Sequence, residues 1–380
     1  MQKQKKVVKR RLFLKGAAVA AGAGAVALLA ACEKKDEVME GPAVKKDVKF
    51  NWKYVTSFGP TAPVLSENVN HFADEMRIMT DGAMDIKTFG AGELVPAFGV
   101  FDAVKEGSIE MFHSASYYWA GKVPATQYTC SVPFGMNVQQ TQAWFYGGGG
   151  KELWQEFYEK HNLMVFPAGN TGVQMGGWFK KEIKNIGDYD GLKMRIPGLG
   201  GKVVAAVGGT VVLLAGPDIY PSLERGVIDA TEWVGPLYDF NLGLHQAAKY
   251  YYSPGWHEPS TNNETSINLK AWNSLPKDIQ KMFELATFKQ QAWGLAQFDA
   301  RNGEFLDKLI KYGTQFRQFP DDVLKALFKA AEKINEQVAD SDPVARKVYD
   351  HYKNFRDQVR KFHNLNEVSY QNALKSVGAI

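Results

Sequence analysis

The sequence predicts an α/β fold with two lobes, a ligand cleft between the lobes and a helical C-terminal region that contains a long helix. Over residues 48–259, short β-like runs alternate with amphipathic helical patterns, as in α/β proteins. Roughly 330 residues follow the N-terminal segment, a length that favours two cores over one. We therefore expect a first lobe at residues 48–170, a second lobe at 171–259, and a helical region at 260–380 that packs across both.

The first elements of the first lobe can be placed from hydrophobic spacing. Residues 49–55 read as a strand, and residues 84–88 as the next one. Between them, a single apolar helix face is predicted from the residues that recur every three or four positions, namely Leu65, Val69, Phe72, Met76 and Met79. Asp81 and Gly82 are predicted to end this helix.

An internal echo supports two lobes that are built alike. Residues 103–110 (AVKEGSIE) and 222–229 (SLERGVID) share one pattern: a helix end, a glycine, and a short strand that begins near an isoleucine. Glycine often follows the last helical residue because it adopts left-handed backbone angles without steric cost. A generic helix-to-strand turn would produce the same pattern, so the echo alone is modest evidence.

The C-terminal region begins its helical pattern at Pro276 and ends in a heptad-like seam. Apolar residues alternate at spacings of three and four at positions Ala345, Val348, Tyr352, Phe355, Val359 and Phe362. This spacing indicates one long helix with an apolar stripe. The helix could lie across both lobes, or its stripe could form the contact of a homodimer, and both interpretations stay open.

The N-terminal residues 1–31 are predicted to be an export signal rather than part of the fold. Residues 9–15 (KRRLFLK) are typical of a twin-arginine signal, and the apolar run that follows is too short to span a bilayer comfortably. The run ends in LAAC at residues 29–32, which favours lipidation of Cys32 over an ordinary cleaved signal. Residues 32–47 are charged and contain Gly-Pro, so we expect a flexible tether.

Export changes the interpretation of charge and cysteine content. The whole chain carries a net charge of +4, but seven basic residues and no acidic ones precede Cys32, so the remaining chain has a net charge of −3. A basic nucleic-acid-binding surface is therefore not indicated, and no nucleic acid is expected as a partner. With Cys32 lipidated, Cys130 has no partner for an intramolecular disulfide and is expected to be a small buried side chain.

Three glycine-rich phrases each carry one polar side chain with ligand-binding chemistry. They are residues 169–178 (GNTGVQMGGW), 194–201 (MRIPGLGG) and 223–236 (LERGVIDATEWVGP). The first offers the amide of Gln174, the second the guanidinium of Arg195, and the third the carboxylate of Glu232 beside the Trp233 indole. Because a guanidinium matches both oxygens of a carboxylate, Arg195 is the leading candidate for binding a small acid. A surface ion pair is the alternative role for this arginine.

Aromatic side chains are expected to form the walls of the cleft. The candidates are Trp233, Phe58, Tyr117 and Tyr118, with Tyr118 preferred as the residue that closes over the ligand. A tyrosine can cover a small acid with its ring and donate its hydroxyl to a keto or hydroxyl oxygen. Packing in the core is the alternative for each of them.

The three phrases, together with residues 89–94 (FGAGEL) and 101–107 (FDAVKEG), resemble the solute receptors of TRAP transporters. The similarity runs from about residue 48 to about residue 259 and is strongest to the branch that binds 2-oxo and 2-hydroxy monocarboxylic acids. It implies a periplasmic-binding-protein-like fold that closes on its ligand and delivers it to TRAP-type permease subunits. It also implies a location in the periplasm, at the outer face of the cytoplasmic membrane if Cys32 carries lipid.

The same resemblance implies a bound cation that bridges the protein to the acid. Its ligands would be Gln174, Glu232, the carbonyl of Trp233 and an oxygen of Glu258, which lies in the phrase WHEP. Two carboxylates beside neutral oxygens suit Ca²⁺ better than Na⁺. A metal-dependent enzyme acting on a keto acid, with Glu232 or Glu258 as general base, is the alternative function, and a ligand receptor for a sensor is another.

Several motifs of other functions are incomplete. The glycine run at residues 147–150 lacks the Ser/Thr of a phosphate loop, because Glu152 stands there. No Gly-x-Ser-x-Gly elbow is present, and the seven histidines show no metal-type spacing. The sequence therefore favours ligand capture over catalysis.

Overall fold

Eleven strands in the described part of the chain form two sheets, one for each lobe. The computed structural model describes residues 49–380; the predicted signal, Cys32 and the predicted tether lie outside them. The first sheet has the order β2-β1-β3-β10-β4. Its strands are β1 Phe50–Thr56, β2 Met84–Phe89, β3 Met111–Ala115, β4 Leu163–Asn170 and β10 Asn262–Asn268. Strand β1 is parallel to β2 and β3, whereas β10 is antiparallel to both of its neighbours.

The second sheet has six strands in the order β11-β9-β5-β8-β6-β7. They are β5 Gly177–Phe179, β6 Lys193–Arg195, β7 Thr210–Val212, β8 Ala230–Thr231, β9 Tyr250–Ser253 and β11 Gln315–Gln318. Strands β6, β7 and β8 run parallel to one another, and β5 is antiparallel to β8 and β9. The α/β fold predicted from the sequence is confirmed.

Helices cover the sheets and join the lobes. They are α1 Leu65–Met79, α2 Val100–Lys105, α3 Thr126–Cys130, α4 Val138–Gly147, α5 Gly150–Glu159, α6 Gly198–Ala206, α7 Gly216–Glu224, α8 Pro236–Asn241, α9 Leu244–Ala247, α10 Leu269–Ser274, α11 Lys277–Tyr312, α12 Asp321–Asp340, α13 Pro343–Leu365 and α14 Glu367–Ser376, with 3-10 turns at Ser116–Trp119 and Ile186–Tyr189. The predicted apolar face of α1 is confirmed in large part, since four of its five residues are buried. None of the described helices is both long enough and apolar enough to cross a membrane.

The two echoed segments have the same local structure in the two sheets. Gly107 and Gly226 both adopt positive φ angles, 82° and 77°. In the first segment the backbone N–H groups of Ser108 and Ile109 donate to the carbonyl of Ala103, and in the second those of residues 227 and 228 donate to residue 222. Each segment leads from a short helix into a central strand, β3 in the first sheet and β8 in the second.

The chain passes between the sheets more than once. After β9 in the second sheet it returns to the first as β10, and β11 later joins the second sheet. The region expected to be helical therefore also contains two strands. Strand β10 has the sequence NNETSIN and is buried along its whole length. Five of its polar side chains take part in hydrogen bonds. With only one apolar residue, the strand has no hydrophobic pattern from which it could be predicted.

Three long helices tie the lobes together. The long helix predicted from the seam is α13, with 23 residues. Helix α11 is longer, with 36 residues, and packs on β4 and α1 in the first lobe and on α8 in the second. Helix α12 packs on α6 of the second lobe, and α13 packs on α3, α4 and α5 of the first. The seam on α13 is divided: Ala345, Val348 and Tyr352 are buried, whereas Phe362 is 66% exposed. The first half of the seam is therefore core, and its end faces outward.

Candidate functional site

The predicted site residues lie at the ends of strands where the two lobes face each other. Arg195 is the last residue of β6, and Glu232 directly follows β8, the adjacent parallel strand. Gln174 lies in the connection from β4 to β5, and Glu258 in the connection from β9 to β10. Both connections cross from one sheet to the other. Because carboxyl ends of parallel strands share one edge, Arg195 and Glu232 are neighbours. The two connections bring Gln174 and Glu258 to the same place, where they are hydrogen-bonded to each other.

Arg195 is held rigidly and is 1% exposed. Its Nε donates to the carbonyl of Leu214 at 3.2 Å, and its Nη1 donates to Oε1 of Glu232. The guanidinium carbon lies 4.8 Å from the centre of the Trp233 ring, a cation–π contact. Its Nη2 is buried and has no hydrogen-bond partner in the described part of the protein. One donor of the buried arginine thus stays available to an anion.

Gln174 and Glu258 form a second buried pair. The Nε2 of Gln174 donates to Oε2 of Glu258 at 2.7 Å and also contacts the hydroxyls of Thr171 and Thr261 at 3.2 Å each. With its amide nitrogen committed in this way, Gln174 presents its Oε1, which is buried and unpartnered within residues 49–380. Oε2 of Glu232 is also buried and has no hydrogen-bond partner among these residues. Amide and carboxylate oxygens are the ligands that hard cations prefer.

Burial and like charge shape the electrostatics of the site. Burial, followed by the charge of Glu232, raises the pKa of Glu258 to about 7. Burial also raises the pKa of Tyr118 to about 12, against the opposing effect of the Arg195 charge. The tyrosine is therefore a neutral hydroxyl donor at neutral pH. Two carboxylates within one buried cluster favour a positive charge between them.

A small cavity lies among these side chains. It is lined by Phe58, Leu65, Tyr117, Tyr118, Thr171, Gln174, Arg195, Trp233, Val234, Thr261 and Asn263. Six of the side chains predicted from the sequence are in this lining, and Glu232 and Glu258 are bonded to two of them. Phe58 and Leu65 of the first lobe belong to the same apolar cluster as Trp233 and Val234 of the second. The lobes are therefore in contact around the cavity.

One glycine in this region is required by a close backbone approach. A Cβ at Gly255 would lie 2.2 Å from the carbonyl oxygen of Gln174. The backbone N–H of Gln174 in turn donates to the carbonyl of Glu258 at 3.1 Å. The two connections that carry Gln174 and Glu258 are thus held against each other by main-chain contact, and Gly255 permits the distance.

Several residues of the site were not predicted from the sequence, and one of them, His257, lies outside the cavity lining but beside its two carboxylates. The structure places His257 against Glu232 and Glu258, with one ligand atom of each residue within 4.8 Å of the others. The chain positions of the seven histidines did not indicate this cluster, because its members come from two separate connections. The only signal was the position of His257 inside the phrase WHEP. Thr171, Thr261 and Asn263 also lie close to phrases quoted above, but their residue types are too common in loops to stand out.

The comparison with protein families settles what kind of protein has this site. Residues 56–342 match the model of the bacterial extracellular solute-binding proteins, family 7, also called DctP. This chain belongs to that family. The resemblance to TRAP solute receptors stated from the glycine-rich phrases is thereby confirmed, and the folded part of this DctP-family protein acts outside the cytoplasm.

Relatives of this DctP-family chain extend over nearly its whole length. A monocarboxylate 2-oxoacid-binding periplasmic protein of Nostoc sp. is 44% identical over 97% of this chain and 100% of its own. A TRAP periplasmic solute-binding protein of Colwellia psychrerythraea, solved with calcium and pyruvate, is 40% identical, with a TM-score of 0.83 over 86% of this chain and 99% of its own. That of Pseudoalteromonas atlantica, solved with sodium and pyruvate, is 39% identical, with a TM-score of 0.83 over 85% and 99%.

Proposed function

We propose that this chain captures a short 2-oxo or 2-hydroxy monocarboxylate, such as pyruvate or lactate, together with a cation, for a TRAP-type transporter. One observation carries the proposal: four polar atoms of one buried shell lack partners within the described residues. They are Gln174 Oε1, Arg195 Nη2, Glu232 Oε2 and Trp233 Nε1. Because an unpartnered buried polar atom costs about 1–3 kcal/mol, a cluster of them indicates a site shaped for a polar ligand.

The nitrogen atoms and the oxygen atoms of this shell suit different parts of the ligand. The nitrogen donors of Arg195 and Trp233 suit the carboxylate of the acid. The oxygens of Gln174 and Glu232 suit a cation, which when bound would bridge the protein to the 2-oxo or 2-hydroxy oxygen. The carbonyl of Trp233 and an oxygen of Glu258 complete the proposed ligand set. Tyr118, beside the guanidinium, donates to the same end of the acid, and Phe58 and Tyr117 close the walls.

A count of charges favours Ca²⁺ over Na⁺. Arg195 and Glu232 neutralise each other as a buried ion pair. The ionised Glu258 and the bound monocarboxylate then leave two negative charges in a buried site. Ca²⁺ neutralises both, whereas Na⁺ leaves one uncompensated at a high cost in desolvation. Relatives have been solved with either ion, so the Glu258 carboxylate is the feature of this chain on which the preference rests.

Two further proposals concern the membrane anchor at the N-terminus and a dimer contact at the C-terminus. We propose that Cys32 is lipidated after export and tethers the receptor to the outer face of the cytoplasmic membrane, near its permease. Replacement of Cys32 by alanine is expected to release the protein from the membrane fraction while leaving acid binding unchanged.

We also propose a homodimer through the outward end of α13, where Phe362 and Leu365 are exposed, and α14, which has no buried residue.

The function is tested by isothermal titration of the soluble domain, beginning at about residue 45, with pyruvate, lactate and a dicarboxylate such as succinate. We expect binding of the monocarboxylates in Ca²⁺, weaker binding in Na⁺ with EDTA, and no binding of succinate, whose second carboxylate has no counter-charge in the cavity. Turnover of bound acid, followed by NMR, would instead favour an enzyme.

A further inference from the structure

His257 is fully buried beside the proposed cation site, yet the proposed ligand set does not use it. Its side chain is 1% exposed, and both ring nitrogens lack a hydrogen-bond partner within the described chain. Its Nε2 lies 3.4 Å from Oε2 of Glu232, the carboxylate oxygen that Arg195 does not take. An imidazole without a hydrogen bond among the described residues therefore lies next to the free oxygen of Glu232, with Glu258 as the second carboxylate of the same cluster.

Packing keeps the imidazole in this position. The Trp256 ring meets it at 5.5 Å and an interplanar angle of 70°, and Trp256 itself is stacked on Phe134. The base of the side chain packs on α6, since a Cβ at Gly200 would lie 2.9 Å from the Cβ of His257. A helix backbone and an aromatic pair thus confine the ring, so its distance from Glu232 is a property of the fold.

The chemistry of the shell decides between two roles for this ring. Imidazole nitrogen suits transition metals, whereas the other donors here are carboxylate and amide oxygens, which suit hard cations. As a direct ligand, His257 would conflict with the rest of the set. As a hydrogen-bond donor to Glu232, it would hold the second oxygen while Arg195 holds the first. Groups that fix a ligating carboxylate from outside typically change metal affinity by about 10–100-fold.

We propose that His257 is a positioning residue, which holds Glu232 in the orientation that binds the cation. The inference rests on the proposed cation-bridged function and goes beyond it by assigning a role to a residue outside the ligand set. Arg195 holds Oε1, and in the cation-bound protein His257 would donate to one lone pair of Oε2 and leave the other to the cation, which would then meet a preorganised ligand.

The test separates cation affinity from acid affinity in the soluble domain. His257→Leu removes the donor at similar volume, His257→Gln retains an N–H donor near the Nε2 position, and His245→Leu serves as the matched control. His245 is also a buried histidine with an unpartnered ring nitrogen within residues 49–380, but it packs on Phe240 and Tyr312 away from the site. Circular dichroism and thermal melting confirm that each variant is folded.

We expect the Ca²⁺ dissociation constant, measured at saturating pyruvate, to rise at least tenfold in His257→Leu. It should return to within about threefold of wild type in His257→Gln and stay at the wild-type value in His245→Leu. At saturating Ca²⁺, pyruvate affinity should change little in all three variants. Wild-type Ca²⁺ affinity in His257→Leu would overturn the proposal, and so would an equal loss in His257→Gln, since a donor would then not be the reason.

A different result would overturn the proposed function instead. If the wild-type protein binds pyruvate equally well with and without any cation, the cation site itself is wrong, whatever the variants do. If His257→Leu loses Mn²⁺ or Zn²⁺ binding but keeps Ca²⁺ binding, His257 is a direct ligand for a transition metal and the positioning role is excluded.

Discussion

Arg195 and Glu232 form an ion pair in which both side chains are about 1% exposed, and each keeps one atom free for a ligand. In the proposed function, the free Nη2 of Arg195 binds the acid and the free Oε2 of Glu232 binds the cation. One hydrogen bond therefore joins the anion site to the cation site. A cation on Glu232 and a carboxylate on Arg195 attract each other across this bond, so each should raise the affinity for the other by the same factor.

The first prediction concerns the loss of Arg195. Arg195→Ala removes the donor for the acid and leaves Glu232 as an unpaired buried carboxylate. We expect acid binding to be lost and the free energy of unfolding to fall by about 3–5 kcal/mol, the usual effect of breaking a buried pair. Calorimetric titration and chemical denaturation measure the two effects.

The double variant Arg195→Ala/Glu232→Gln separates binding from stability. It removes both charges, so most of the lost stability should return while acid binding stays absent. Acid binding within a few-fold of wild type in Arg195→Ala would show that this arginine does not bind the carboxylate.

Much of the site could be predicted from the sequence because its polar side chains stand in glycine-rich phrases. Glycines mark places where backbone meets backbone or ligand, as the contact of Gly255 with Gln174 shows. Arg195 and Glu232 were both predicted as site residues from these phrases, and the structure brings them together at the ends of the adjacent parallel strands β6 and β8. For these residues, local pattern and tertiary position agree.

Other features depend on contacts that no local pattern records. Strand β10 contains one apolar residue, and its burial rests on partners such as Tyr158, whose hydroxyl donates to Oε1 of Glu264 at 3.2 Å from 106 residues away. Nothing in the sequence near His257 indicates its contact with Glu232, because the two residues lie in separate connections and meet only in the folded protein. The division of the α13 seam into a buried and an exposed half depends on where α3, α4 and α5 end, which the spacing of the seam cannot show.

The second prediction is a pH dependence set by Glu258. The pKa of this carboxyl is raised to about 7 in the cation-free protein. Its contribution to the free energy of unfolding is therefore fully present below about pH 4.5 and is lost as the pH rises through 7. Cation binding requires the ionised form, so it should release a proton near pH 6–7. We expect Ca²⁺ affinity to fall as pH is lowered from 8 to 6.

Titrations in buffers with different ionisation enthalpies measure this proton release. Glu258→Gln is the matched variant, because it keeps an oxygen ligand and removes the titrating group. It should bind Ca²⁺ more weakly and lose the pH dependence between 6 and 8. A pH dependence that persists in Glu258→Gln would point to another group as its source.

The third prediction concerns the length of the acid. Val234 lines the cavity and is 6% exposed, so we expect its methyl groups to limit the length of the acid that the cavity accepts. Val234→Ala should improve the affinity for 2-oxovalerate relative to pyruvate by about tenfold, since one methylene in an apolar pocket changes discrimination by at least that factor. Val203→Ala, a buried valine of the same lobe outside the cavity, serves as the control. An unchanged ratio of affinities in Val234→Ala would place the chain-length limit elsewhere.

The fourth prediction tests the proposed dimer contact. Phe362 on α13 is 66% exposed, and Ile78 on α1 is 67% exposed, so the two form a matched pair. Phe362→Glu should convert the dimer to a monomer in sedimentation equilibrium, whereas Ile78→Glu should leave it intact. A monomeric wild-type protein at micromolar concentration would contradict the dimer and leave the exposed end of α13 without this role.

The central claim is that the buried shell around Arg195 and Glu232 binds a monocarboxylate through a bridging cation. Its most direct test is a pair of isothermal titrations of the soluble domain with pyruvate, one in Ca²⁺ and one in EDTA. We predict binding at one site per chain in Ca²⁺ and an affinity at least tenfold weaker in EDTA. Equal affinity under both conditions would contradict the bridging cation, and no heat or saturation with pyruvate, lactate or longer 2-oxo acids would contradict the proposed ligand.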